Sequence, residues 1–235
     1  DGIRDSSVTG VQTCALPICH QELLRRTIAA ARELGVKSAV LTFHPHPACV
    51  VAPERAPKLL YTPEERCRLL AEQGIDEVLV LPFNEDVASM PPEEFASGLL
   101  RTVFDARAIL VGENFRFGCA RAGDITTLAD LGFSTRPLPA VTWRGIVVSS
   151  SEIRKRVEAG DVSKAARLLG RCYAITGDIV TGHGIGSKQT VPTLNLRTQA
   201  EVLPASGVYI TRTTDPSTGR HWRSEEHTSE LQSHL

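Results

Sequence analysis

The chain has 235 residues, room for one large domain or two ordinary ones, and its 42% hydrophobic and 23% charged fractions are those of a globular protein. A formal net charge of −1, with only three Tyr and two Trp, excludes a strongly basic nucleic-acid binder or a stacking platform for single strands. No run approaches the ~18 apolar residues of a membrane span, so no membrane partner is expected.

The opening DGIRDSSVTGVQTCALPIC shows neither helical nor strand period and carries no basic stretch before an apolar core, so no secretion signal is expected. It resembles translated sequencing-adapter read-through, as does the close from Arg223, RSEEHTSELQSHL. Residues 1–19 and 223–235 are therefore expected to be non-native tails that do not pack on the core. Without them the chain carries 24 basic and 22 acidic residues, a +2 balance mildly suited to anionic ligands. Six cysteines at 14, 19, 49, 67, 119 and 172 include no CxxC pair, which fits a reducing cytoplasm better than a zinc site or disulfide scaffold.

From His20 the pattern becomes regular. HQELLRRTIAAARELG sets Leu24, Ile28 and Ala31 on one helical face and stops at Gly35. SAVLTF (38–43) is a continuous apolar run, expected of a strand covered on both faces. YTPEERCRLLAEQG predicts a helix with Thr62 as N-cap, Pro63 in the first position and Glu65 closing a capping box. EVLVLPF predicts a second buried strand, PPEEFASGLLRTVF a helix, and RAILVG a third strand. Strand and helix in alternation imply a parallel α/β sheet, whose ligands bind at the carboxyl ends of its strands. The loops after Phe43, Phe83 and Val111 are thus the ones to read for chemistry. Near Gly170 the pattern changes. Two short helices, SEIRKRVEAG and VSKAARLLG, precede YAITGDIVTG, a glycine-rich loop and SGVYITRTT, which predict a small antiparallel β domain from about Tyr173.

Four segments carry residues suited to phosphate chemistry. Phe43 to Pro47 (FHPHP) projects His44 and His46 from a strand end, either toward phosphate oxygens or as a plain surface turn. In VGENFRFGCARAGD (111–124), Gly112, Gly118 and Gly123 permit close backbone approach and Arg116 and Arg121 offer cationic forks. One of Phe115 and Phe117 is expected to be buried and the other to offer its face to an aromatic ligand. Ser149, Ser150 and Ser151 lie between a strand and a helix, an anion site with Arg154 one turn on, or simply a capped helix. In GHGIGSKQTVPTLNL (182–196), Gly182, Gly184, Gly186 and Lys188 could cradle phosphates, although the spacing is not that of a Walker loop. Thr193 and Asn195 then fall on one face of a strand as hard oxygen donors for Mg²⁺.

In order and without large gaps, these segments resemble the bacterial bifunctional riboflavin kinase/FMN adenylyltransferase family. Thr42 to Pro47 match its TFxPHP turn, Val111 to Asp124 its VGxDFRFGxxxxGD loop with Asn114 for Asp, and Val148 to Arg154 its ISSTxIR segment with Ser151 for Thr. Pro192-Thr193-Leu194-Asn195 and Gly207-Val208-Tyr209 match the kinase PTAN and GVY. The family's GxFDGxHxGH start is not matched. Its positions fall on Val11, Thr13, Cys14, Ala15, Pro17 and Cys19, and His20 alone survives. The resemblance implies a Rossmann-like nucleotidyltransferase domain over 20–170, then an incomplete riboflavin kinase-like β-barrel over 171–222. It implies adenylylation of FMN by ATP to FAD and pyrophosphate, and phosphorylation of riboflavin by ATP, with the kinase half cut short of the family's catalytic Glu. His20 and His46 would be catalytic, and Thr193 and Asn195 would hold Mg²⁺. Phe43, Pro45, Asn114, Phe115, Arg116, Gly118, Asp124, Ser149 to Ser151, Arg154, Gly182, Gly184 and Lys188 would contact ATP or flavin. Another small-substrate nucleotidyltransferase, or a flavin- or nucleotide-binding fragment without catalysis, are the rival readings.

Overall fold

The structure, a computed structural model, describes residues 7–11, 16–180 and 195–227, with side chains for 16–180 and 195–223. The chain forms two compact units, 1–57 with 61–150 and 58–60 with 151–235.

The first unit is built in chain order from β1 (Ser7–Val11), α1 (Ile18–Leu34), β2 (Lys37–His44), α2 (Pro47–Val51), α3 (Pro63–Glu72), β3 (Glu77–Pro82) and α4 (Glu85–Ser89). It continues with α5 (Pro92–Glu94), which runs on as a π-helix over Phe95–Val103, then β4 (Ala106–Gly112), α6 (Ile125–Asp130), β5 (Ser134–Leu138) and the short hairpin β6 (Thr142–Trp143) and β7 (Ile146–Val147). The main sheet has the order β3-β2-β1-β4-β5, and every pairing in it is parallel. Successive β4 residues point to opposite faces, as strand geometry requires. Ala108 and Leu110 pack with Leu23, Ala30 and Ala31 of α1, while Ile109 and Val111 pack with Leu41, Phe43, Phe95, Leu100 and Leu128.

Local signals in the sequence explain much of this. α1 ends at Gly35 in the left-handed conformation (φ 65°), where a side chain would be strained. Its buried residues are Leu23, Leu24, Thr27, Ala30 and Ala31, so the core-facing stripe sits beside the expected one and Ile28 lies at its margin. Thr62, Pro63 and Glu65 form the expected cap and capping box of α3. β2 is buried from Ser38 to Phe43. β3, expected to be buried, is half-exposed because it is the edge strand of the sheet.

The tails depart from expectation. Ser7–Val11 is the central strand, paired with β2 from Ser7–Lys37 to Val11–Leu41 and with β4 from Ser7–Ala106 to Gly10–Leu110. His221–His227 forms β11, antiparallel to β10 (Val208–Thr214). Segments without apolar period have been recruited through main-chain hydrogen bonds, which any sequence lacking proline can supply.

The second unit contains α7 (Ser150–Glu158, beginning at the division), α8 (Val162–Leu169), β8 (Gly177–Val180) and β9 (Asn195–Thr198), followed by β10 and β11. The expected division at 170/171 placed α7 and α8 in the first unit. Arg154 Nε donates to the Lys58 carbonyl at 2.6 Å and Lys58 pairs with Glu158 at 3.4 Å, which ties α7 to residues 58–60. Among the described residues the β segments are two separate antiparallel ribbons, β8–β9 and β10–β11, rather than a closed barrel.

A central strand holds its sheet through two ladders, so deleting residues 1–11 should lower the midpoint of thermal unfolding by about 10 °C or more, the equivalent of several kcal/mol. Circular dichroism melts check this. A shift within about 2 °C, the size of a surface change, would show that β1 does not carry the sheet.

Candidate functional site

The strand order reverses direction at β1, with β2 on one side and β4 on the other. In an open parallel sheet this is where the loops leaving the strands diverge and leave a crevice at the carboxyl edge. Three chain segments surround that point: the first turn of α1, the turn after β2 and the loop after β4.

His20 lies in the first turn of α1, its amide donating to Pro17 O at 2.9 Å. Its Nδ1 is shut off from solvent and has no hydrogen-bond partner among the described residues. Burial pulls its pKa from 6.5 down to about 4, so the ring is a neutral imidazole at pH 7. Thr42, at the carboxyl end of β2 and on the face opposite Phe43, has a fully buried hydroxyl that likewise has no partner among the described residues. Two buried polar groups are thereby left near the carboxyl edge, a cost that an incoming polar ligand would remove. Beside His20, the Cys19 thiol donates to the Val148 carbonyl at 3.6 Å, and burial pushes that thiol up. This contact brings the chain just ahead of Ser149 against the first turn of α1. Ser149 and Ser150, both partly buried, follow directly, and α7 begins at Ser150.

The turn after β2 is more ordered than its prolines alone require. His46 is the N-cap of α2, its Nδ1 accepting from Ala48 N at 3.1 Å. That acceptor role places the hydrogen of the neutral ring on Nε2. Phe43, expected among the ligand contacts, is instead a core side chain, 8% exposed and edge-on to Phe83 at 5.3 Å. Its apolar ring is better buried in the aromatic cluster than held in a wet crevice. Pro45 is exposed. Sequence reasoning missed Arg66. It is 4% exposed and its guanidinium donates to the Phe43 carbonyl at 3.2 Å. The signal was present, because Arg66 shares the i, i+3, i+4 stripe of α3 with Leu69 and Leu70.

The loop after β4 closes on itself. Phe117 and Gly123 exchange main-chain hydrogen bonds of 3.0 and 2.9 Å, and Cys119 N donates to Met90 O at 2.8 Å. Gly118 has φ 72°, and a Cβ there would lie 2.8 Å from the Pro92 main chain. The close approach expected of this glycine is therefore made to Pro92, within the protein. Asp124 caps α6 through Thr127 N, which holds its carboxyl below the usual carboxylate range, and it also pairs with Arg116 at 2.9 Å. Arg116 and Asp124 thus hold each other, and Asp124 serves the helix. Phe117 is buried, as expected of one of the two rings, and Phe115, half-buried, stacks one face on it at 5.6 Å. Asn114 is exposed in the turn just beyond β4.

Residues 18–152 match the FAD synthetase family profile and 169–227 the riboflavin kinase profile. The chain belongs to the FAD synthetase family. The FAD synthetase match covers β2 to β7 with all three segments that surround the crevice. The bifunctional riboflavin kinase/FMN adenylyltransferase of Pseudomonas fluorescens is 34% identical over 195 residues, 81% of this chain and 62% of that protein. The protein of that description from Escherichia coli K12 is 30% identical over 220 residues, 88% of this chain and 70% of that one. The crystal structure of a macrolide-efflux protein from Streptococcus pneumoniae superposes with a TM-score of 0.82 at 26% identity, over 96% of this chain and 84% of its own. The chain spans less than two thirds of the length of the first two curated relatives it matches.

In the second unit of this FAD synthetase family member, Arg154 is engaged with the Lys58 carbonyl and Ser151 is exposed in the first turn of α7. Asn195 opens β9, paired with Val180 and partly buried. Gly182, Gly184, Lys188 and Thr193 lie outside the described residues.

Two outcomes follow from this geometry. The unfolded chain takes up a proton at His20 near pH 6.5 while the folded chain resists it down to about 4. Stability present above pH 6.5 should therefore fall as the pH drops through that window, by up to about 3 kcal/mol. Urea titrations at pH 7 and pH 4 should show a smaller acid loss in His20→Asn than in the wild type, and equal losses would contradict it. Gly118→Ala, strained in φ and in collision with Pro92, should cost on the order of 2–4 kcal/mol. A neutral effect in the same titration would mean that the loop has room to move.

Proposed function

We propose that the first unit transfers the adenylyl group of ATP to FMN, giving FAD and pyrophosphate. The observation that supports this reading is the buried His20 Nδ1, without a partner among the described residues, beside the Ser149–Ser150 segment that the Cys19–Val148 contact brings to the first turn of α1, in a chain of the FAD synthetase family. In the reaction an FMN phosphate oxygen attacks the α-phosphorus of Mg²⁺-ATP, the bond to the bridging oxygen breaks, and pyrophosphate leaves. No protein nucleophile is needed, so catalysis consists of holding the phosphates in line and stabilising charge on their oxygens. His20, neutral in its buried position, acts by hydrogen bonding to a phosphate oxygen rather than as a cation. His46 offers Nε2–H while Nδ1 stays on the α2 cap. Ser149 and Ser150 supply hydroxyls to the polyphosphate. The exposed Asn114 and the half-buried Phe115 would contact the nucleotide or flavin ring.

For the second unit we infer a part in phosphorylating riboflavin with Mg²⁺-ATP, on the strength of its riboflavin kinase match and of Asn195 at the head of β9. The Asn195 amide oxygen and the Thr193 hydroxyl are hard donors of the kind Mg²⁺ takes. A cytoplasmic location suits these substrates and the free thiols Cys19, Cys49, Cys67, Cys119 and Cys172. No described helix is long and apolar enough to cross a membrane.

The test is FAD and pyrophosphate production from FMN and ATP, followed by chromatography. His46→Ala should lower kcat by about 10²-fold, the range of one oriented charge-stabilising donor, with a smaller change in KM. Binding of FMN and ATP without turnover would support the non-catalytic alternative, and turnover of pantetheine or nicotinamide nucleotides in place of FMN would move the assignment within the nucleotidyltransferases.

A further inference from the structure

β2 carries its neighbours on alternate carbonyls. The His44 carbonyl accepts from Phe83 N at 3.0 Å, on the β3 side, so the Phe43 carbonyl faces the β1 side. The described β1–β2 ladder ends at Val11–Leu41, two residues short of Phe43. The Phe43 oxygen accepts from a side chain, the guanidinium of Arg66, at 3.2 Å. Arg66 is 4% exposed, and burying a cation is costly unless its hydrogen bonds are well used. Its bond falls one residue before His44-Pro45-His46-Pro47, the turn whose last histidine caps α2 through Ala48 N.

We propose that Arg66 is a positioning residue for His46. By holding the Phe43 carbonyl it fixes the direction in which β2 leaves the sheet, and so the plane and reach of the His46 ring beside the crevice. Arg66 itself touches no reacting atom. Two properties suit it to this. A guanidinium is a planar, permanently charged donor whose bond to a carbonyl is stronger than a neutral one. It is also delivered from α3, whose first turn is locked by the Thr62–Glu65 capping box, so the donor is anchored on a rigid element. The proposal deepens the adenylyl-transfer reading and rests on it for the catalytic consequence, but not for the structural one.

The experiment compares wild type, Arg66→Met, Arg66→Lys and His46→Ala in the full chain. The first readout needs no turnover: hydrogen exchange of the Ala48 amide and the ¹H–¹⁵N signals of the His46 ring. Arg66→Met should speed Ala48 exchange by tenfold or more and shift the His46 ring signals, with Leu168 and Leu169 amides in the second unit unchanged. Arg66→Lys, which keeps a charged donor, should restore most of both. The second readout is FAD formation. Arg66→Met should lower kcat more than it raises KM, and combining it with His46→Ala should add little to His46→Ala alone. Should Arg66→Met melt below the assay temperature, Arg66→Lys carries the test, with an intermediate kcat and an Ala48 exchange rate between those of wild type and His46→Ala. Unchanged Ala48 exchange and His46 signals in a folded Arg66→Met protein would overturn the proposal, as would fully additive kcat losses. Normal Ala48 coupling to Arg66 without FAD formation in the wild type would instead count against the adenylyl-transfer reading alone.

Discussion

The parallel ladders that hold Ser7–Val11 between β2 and β4 are the constraint on which the first unit depends. With that strand in place the order of the sheet reverses across it. His20 lies in the first turn of α1, the helix that follows this strand in the chain. Without the strand, β2 and β4 would have no common neighbour, and the loops that follow them would not share an edge. The strand contributes main-chain pairing, which explains how a segment with little apolar pattern can hold the middle of a sheet.

Around this edge, most of the charged and glycine residues serve the protein first. Gly118 exists for Pro92, Asp124 for the amide of Thr127, Arg116 for Asp124, and His46 Nδ1 for Ala48. Such internal satisfaction is what makes a loop a fixed platform rather than an adaptable one. A donor already oriented before the substrate arrives loses little freedom when it binds. The exceptions are informative. His20 Nδ1 and Thr42 Oγ1 are buried and unmatched among the described residues, and unmatched polar atoms at the carboxyl edge of a parallel sheet are where a ligand gains most. His20 also shows how burial changes a role. A ring kept neutral by desolvation helps a phosphate by hydrogen bonding, where an exposed one would help by charge.

The sequence by itself determined the elements whose causes are local. Thr62, Pro63 and Glu65 start α3, Gly35 stops α1, and the unbroken apolar run of β2 requires cover on both faces. It also determined the order of motifs, because FHPHP, the 111–124 loop and the serine run keep their spacing whatever the chain does between them. Only tertiary structure decided which of those side chains enter the core. Phe43 went to the core because two other aromatic rings, Phe83 and Phe95, offered it more contact than water could, and Arg66 was drawn inward with its guanidinium donating to the Phe43 carbonyl. The placement of β1 was likewise beyond local reading. The pairing of β1 on both sides uses main-chain groups that every residue carries, so the pairing itself leaves no mark in the sequence.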